Sequence, residues 1–123
     1  MKVIIAGSRG IADYDVVEKA IKESGFEITE IVSGGARGPD QIGEQYATRN
    51  SITLKQFIPD WRQFGRQAGY LRNEKMANYG EALIAVWDGE SKGTKHMIDL
   101  ATKKGLKVFV KVVDKCGRKP HLG

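Results

Sequence analysis

Short apolar, β-branched runs alternate along this chain with segments whose apolar residues recur at helical spacing. A chain patterned in this way folds most simply as βαβ units around a parallel sheet. Five runs carry the pattern, at residues 3–6, 28–32, 52–57, 82–87 and 107–113. Asp13 is placed to cap a first helix, in which Val16, Val17, Ala20 and Ile21 share one face and which Gly25 ends. A second helix starts near Pro39-Asp40 and buries Ile42, Tyr46 and Ala47. After a long connection carrying Asp60-Trp61, a third, less regular helix covers residues 71–79. The fourth covers residues 93–104, with Met97, Ile98 and Ala101 inward and Gly105 as its stop. Residues 82–87 form the most apolar run and suit a central strand covered on both faces. The expected fold class is therefore α/β: a single Rossmann-like, doubly wound domain with a mainly parallel five-stranded sheet flanked by helices. It is expected to occupy residues 1–113, followed by a basic tail at 114–123.

A length of 123 residues suits one such domain and not two. The 41% hydrophobic and 28% charged residues exclude a disordered chain, and no apolar run approaches the roughly 20 residues of a membrane helix. Residues 3–6 are shorter than the apolar core of a signal peptide, about 7 to 15 residues. A cytoplasmic protein without a membrane partner is expected. Cys116 has no second cysteine to pair with, and the two histidines complete no zinc spacing with it, so neither a structural metal nor a cofactor is expected. The net charge of +5 raises the question of nucleic acid. It is concentrated, however: from residue 103 onward seven basic residues face only Asp114, which leaves the rest of the chain near −1. Nucleic acid is thus a secondary partner in this reading.

The chemistry gathers in the βα loops, which in a doubly wound sheet all emerge at the carboxyl edge of the strands. They read Gly7-Ser8-Arg9-Gly10, Ser33-Gly34-Gly35-Ala36-Arg37-Gly38, Pro59-Asp60-Trp61 and Asp88-Gly89-Glu90-Ser91-Lys92-Gly93-Thr94. Glycines let backbone N–H groups approach an anion, and a helix N-terminus adds partial positive charge at the same place. Gly34, Gly35, Gly89 and Gly93 suit a phosphate site on that ground; Ser8, Ser33, Ser91 and Thr94 add hydroxyls, and Arg9, Arg37 and Lys92 add charge. Tight turns alone account for any one glycine, but not for four loops of one edge. Residues 33–38 lack the Lys-Ser/Thr of a P-loop and no segment has the GxGxxG pattern, which disfavours a nucleoside triphosphatase or an NAD dehydrogenase.

Six ordered blocks carry a resemblance: Gly7-Ser8-Arg9, residues 33–40, Gly43-Glu44, Asp60-Trp61, Gly69-Tyr70-Leu71-Arg72-Asn73-Glu74-Lys75-Met76 and residues 88–94. Together, over residues 2–113, the chain resembles the SLOG superfamily, and most closely its YspA-related branch of small Rossmann-like domains common in bacteria and phages. That superfamily includes the LOG phosphoribohydrolases, which remove the base from a nucleoside 5′-monophosphate, and a DNA-processing protein that acts on single strands. The resemblance places Arg72 at the LOG arginine and Gly89, Gly93 and Thr94 in its phosphate loop; with the loops read above, Gly7, Ser8, Arg9, Ser33, Gly34, Gly35, Ala36, Asp60, Trp61, Asn73, Asp88 and Ser91 complete the expected ligand-binding residues. It also implies pairing of protomers through helices beside the sheet, for which residues 71–79 with Met76 and Tyr79 are the expected surface. At the position of the LOG glutamate this chain has Met97, which neither takes a proton nor stabilises an oxocarbenium ion.

Asp40, Glu44 and Arg72 are the catalytic candidates that remain. Asp40 and Glu44 are four apart and share a helix face, although capping and surface exposure account for them equally well. Asp88 reads first as a turn residue, Trp61 as packing before a stacking platform, and Trp87 as core. His96 and His121 have no catalytic neighbours in sequence. The favoured reading is a module that binds or senses a nucleotide, or an NAD-derived or cyclic signal, and that forms a homo-oligomer; in phage relatives this would suit sequestration of a defence signal. The alternatives are a nucleotide N-glycosidase using Glu44 or Asp40, and a single-strand nucleic-acid binder using the basic C-terminal segment.

Overall fold

The pattern of buried side chains in the sheet accounts for most of the architecture. The computed structural model describes residues 1–114, so the basic tail expected at 114–123, with Cys116 and His121, lies outside the described residues apart from Asp114. The strands are β1 (Lys2–Gly7), β2 (Glu30–Ser33), β3 (Thr53–Gln56), β4 (Ala82–Trp87) and β5 (Lys107–Val112). They form one parallel sheet in the order β3-β2-β1-β4-β5. Val3, Ile5, Ile31, Ile84 and Val86 face one helical layer, and Ile4, Ala6, Val32, Leu83 and Ala85 face the other. Burial of each valine, leucine or isoleucine among them contributes about 1.5–3 kcal/mol. A one-residue slip would exchange the two sets, which holds the central register Ile5↔Ile84 in place.

The first layer is α1 (Tyr14–Ser24) and α2 (Pro39–Arg49), and the second is α4 (Ala68–Tyr79) and α5 (Lys92–Lys103). The carboxylate of Asp13 accepts the Asp15 N–H at 2.9 Å, and Gly25 closes α1 in the left-handed conformation at φ 69°. Gly38, at φ 82°, precedes Pro39 at the start of α2. Among the described residues no helix is long and apolar enough to cross a membrane.

The structure departs from the expected boundaries where pairing partners run out. β2 begins at Glu30 and not at residue 28, because its ladder partner β1 begins at Lys2, paired with Glu30. β3 is confined to the four residues that β2 can pair. The long connection folds into a short helix α3 (Trp61–Phe64) and a 3-10 turn over Gly65–Gln67, so α4 begins before residue 71. Met76, expected on a pairing surface, is 1% exposed beneath α4 in the second core cluster, and Tyr79 is half-buried. Trp87, expected in the core, is half-buried at the end of β4, where its ring N–H donates to the Ser91 carbonyl at 3.1 Å.

Helix α2 lies close to the sheet because Gly43 faces β1: a Cβ there would stand 2.8 Å from the Cβ of Ile5. Gly43→Val should destabilise the fold by about 3 kcal/mol, the upper end of the overpacking range. A denaturation midpoint equal to that of the wild type would contradict this account of helix seating.

Candidate functional site

Strand order reverses between β1 and β4, so their carboxyl ends leave a crevice between the two helical layers. A cavity of about 320 Å³ occupies it. Ala6 and Gly7 of β1 form its floor, α4 contributes Tyr70, Arg72 and Asn73, and the start of α5 contributes Gly93, Thr94 and Met97. Arg9, Ala36 and Asp40 close the side towards α2, and Trp61 and Arg66 close the side towards the α3 connection.

The loop after β2 is built around a buried carboxyl. Gly34 donates its N–H to Asp40 Oδ2 at 3.1 Å, and Ala36 donates a backbone hydrogen bond to the same side chain. Asp40 therefore braces the preceding loop and does not cap its own helix, whose N-cap residue Gly38 makes no side-chain bond. The buried Ser33 hydroxyl lies 2.7 Å from Glu44 Oε2 and 3.1 Å from the Asp40 carbonyl, and accepts the Gly35 N–H at 3.1 Å. Asp40 and Glu44 thus do share a face, and that face locks the end of β2. Only Asp40 reaches the cavity; Glu44 lines a separate shallow groove with Gln41 and Arg49.

Arg72 crosses from α4 to this loop. Its Nη1 donates to the Gly34 carbonyl at 2.6 Å and its Nε to Asn73 Oδ1 at 3.1 Å. A Cβ at position 34 would collide with the guanidinium, so the close approach requires glycine. Burial lowers the Arg72 pKa from its ordinary value, opposed by the nearby Asp40 charge. Burial likewise pushes the Asp40 carboxyl up to about 6, against the pull of Arg72 and of the two loop amides.

Asn73 continues the chain of contacts to α5. Its amide nitrogen is 3.3 Å from the Gly93 carbonyl and 3.1 Å from His96 Nδ1. The amide donates, so Nδ1 accepts and the imidazole carries its proton on Nε2. Burial lowers the His96 pKa, and the ring meets Tyr70 edge-on with centroids 4.6 Å apart. His96 therefore has polar and aromatic neighbours that no sequence spacing revealed.

The loop after β4 has an internal frame. Asp88 Oδ1 accepts the N–H groups of Glu90 and Ser91, both at 2.8 Å, as a turn residue does. The buried Ser8 hydroxyl accepts the Asp88 N–H at 3.0 Å, joining the first and fourth βα loops. Ser91 caps α5, with its hydroxyl 3.1 Å from that of Thr94.

The structure thus gathers Gly7, Arg9, Ala36, Asp40, Trp61, Arg72, Asn73, Ser91, Gly93 and Thr94 around one cavity. Gly34 and Gly35 line an adjoining groove instead. Ser8, Ser33, Asp88 and Gly89 lie behind the loops as framework or turn, and Asp60 caps α3 beside another cleft. Sequence reasoning did not single out Tyr70, Arg66 and Gly69 as site residues. Tyr70 and Gly69 belong to the same Gly69-Tyr70-Leu71-Arg72-Asn73 block as the arginine, and that adjacency was the available signal.

Such an arrangement is that of a Rossmann-like domain with its site at the strand-order switch. The family model for the YspA, cpYpsA-related SLOG family matches residues 1–64, just over half of the chain, and the chain belongs to that family. The Gene 61 protein of Mycobacterium phage D29 is 32% identical over 118 residues, covering 88% of this chain and 94% of the phage protein. The X-ray structure of DNA processing protein A from Streptococcus pneumoniae superposes with a TM-score of 0.75 at 21% identity, a likeness of fold. The match covers 94% of this chain and 52% of that protein, so the chain spans about half of its length.

The raised Asp40 pKa sets a pH dependence. Below the unfolded value of 3.8 the group is protonated in both states and costs nothing; above about 6 it is ionised in both and the fold bears the full burial cost. Stability due to Asp40 is therefore lost as pH rises from about 4 to about 6. At 1.36 kcal/mol per unit the loss is about 3 kcal/mol. Asp40→Asn should gain on the wild type by up to that amount between pH 4 and pH 7 in urea titrations. A flat difference, or one of opposite sign, would mean that Arg72 outweighs burial.

Proposed function

We propose that this protein binds a nucleotide or a nucleotide-derived phosphate ester and turns it over slowly or not at all. The observation that carries the reading is the make-up of the cavity wall. Three arginines, Arg9, Arg66 and Arg72, and the N-terminal turn of α5 stand around the same space as the exposed aromatic side chains Trp61 and Tyr70. Phosphate is held by the guanidinium groups and by the amide end of α5, where aligned peptide dipoles favour negative charge. The base lies against Trp61 or Tyr70, since stacking suits any base face. Met97, 1% exposed, fills the place of the LOG glutamate and supplies apolar wall in its stead.

One observation favours the second reading, N-glycosidic hydrolysis. Asp40 lines the cavity with a pKa of about 6, near the range a general acid needs. Its carboxyl is already engaged by two loop amides and faces Arg72, which supports a bracing role over a reactive one. Pairing of protomers remains part of the proposal, with Phe64 in place of Met76 as the exposed apolar side chain.

Incubation with a panel of nucleoside 5′-monophosphates, with bound ligand and released base measured in the same samples, separates the two readings. Binding should be saturable, and Arg72→Gln should weaken it by roughly tenfold or more, the worth of a charge-assisted hydrogen bond. Base release should be slower than in an efficient hydrolase by about 10² to 10⁴. Rapid release abolished by Asp40→Asn or Glu44→Gln would replace the binding reading with the enzymatic one.

A further inference from the structure

The cavity does not end at Arg72. On the far side an open groove of about 780 Å³ runs towards the β3 end of the sheet, walled by Gly35, Arg37, Ile58 and Pro59. Arg9, Ala36, Trp61 and Arg72 border both spaces. The cavity alone stands at the lower end of the range for small-molecule sites, about 300 to 1,000 Å³. The groove more than doubles the room along the same line of arginines.

We propose that the ligand of this site is a dinucleotide, two nucleosides joined through their phosphates, laid across Arg72 with one base in the cavity and the other in the groove. The inference rests on the reading that the cavity takes a nucleotide. Arg9 and Arg72 stand at the boundary, where the bridging phosphates would lie, while Arg37 flanks the groove and Arg66 the cavity. The acid that lines the cavity, Asp40, is 3% exposed and is tied to loop amides. Apolar surface lies on both sides of that boundary. Tyr70, 45% exposed, lines the cavity alone, Ile58, 67% exposed beside Gly35, lines the groove alone, and the 50% exposed Trp61 indole stands between them over Gly69. Two such surfaces separated by cationic side chains suit two rings joined by an anionic bridge.

The usual dinucleotide seat is closed here. The N-terminus of α1 is capped by the carboxylate of Asp13, which repels a pyrophosphate placed there. The bridge therefore lies on arginines further along the carboxyl edge. This accounts for a dinucleotide site in a chain that has no GxGxxG sequence.

Calorimetric titration of the full chain tests the proposal, with adenosine and guanosine 5′-monophosphates compared with diadenosine and diguanosine 5′,5′-diphosphates. The mono- and dinucleotides carry similar charge near neutral pH, so a gain for the dinucleotide reports the second nucleoside. At least one dinucleotide should bind with one molecule per protomer and roughly tenfold or more tighter than its own mononucleotide. Ile58→Ser and Arg37→Ala should lower dinucleotide affinity more than mononucleotide affinity, whereas Gly93→Val should weaken both. Equal affinity for a mononucleotide and its dinucleotide would overturn the inference and leave nucleotide binding standing. No binding of any of the four would overturn both. A thymidine oligonucleotide series whose affinity keeps growing beyond two residues would overturn it in favour of single-strand binding.

Discussion

The Arg72 guanidinium, seated on the Gly34 carbonyl and facing the buried Asp40 carboxyl, is the contact on which the site depends. It joins α4, on one side of the sheet, to the β2–α2 loop, on the other, across the gap where strand order reverses. The other polar tie described across this edge, from the Asp88 N–H to the Ser8 hydroxyl, joins the first and fourth loops and leaves the β2–α2 loop untouched. Asp40 braces the same loop from the α2 side through the Gly34 amide, and Asn73 carries the connection on to Gly93 at the start of α5. A buried carboxyl whose pKa is raised to about 6, a half-buried arginine and a buried amide side chain thus form one polar chain across the carboxyl edge. Each member costs solvation, and each is satisfied by the next.

That chain divides the loop chemistry into two kinds. The amides of Gly34 and Ala36, which in isolation look ready for phosphate, are taken up by Asp40. Ser8, Ser33 and Asp88 are likewise engaged in holding loops together. What faces the cavity is the second kind: the arginines, the start of α5 and the aromatic side chains of the α3–α4 connection. Positive charge and aromatic surface thus share one wall, with Met97 as buried apolar lining beside them.

Much of this was legible in the sequence for physical reasons. Ala82–Trp87 reads as a central strand because both of its faces are covered, and the Asp13 and Gly25 caps of α1 are local signals read without knowledge of the fold. The gathering of glycine-rich loops at one edge follows from parallel topology alone. Partners brought together by tertiary structure were not legible. Glu44 and Asp40 share a helix face, yet only Asp40 reaches the cavity: its carboxyl turns to the loop amides at the crevice, whereas Glu44 is bonded to Ser33 at the end of β2 and lines the shallow groove with Leu54 of β3. Met76 looked like a free apolar residue on an irregular helix, and only the sheet beneath α4 reveals it as core. Tyr70 and His96 come together across 26 residues of chain through the packing of α4 on α5.

The central claim is that the ligand lies between Arg72 and the start of α5. Backbone amide chemical-shift mapping during titration with adenosine 5′-monophosphate tests it most directly. The account predicts saturable shifts concentrated at Ala36, Gly69, Tyr70, Gly93 and Thr94, and their loss in Arg72→Gln while the remaining amides keep their native positions. Saturable shifts confined to β3, β5 or the basic C-terminal segment, with those five amides unmoved, would contradict it.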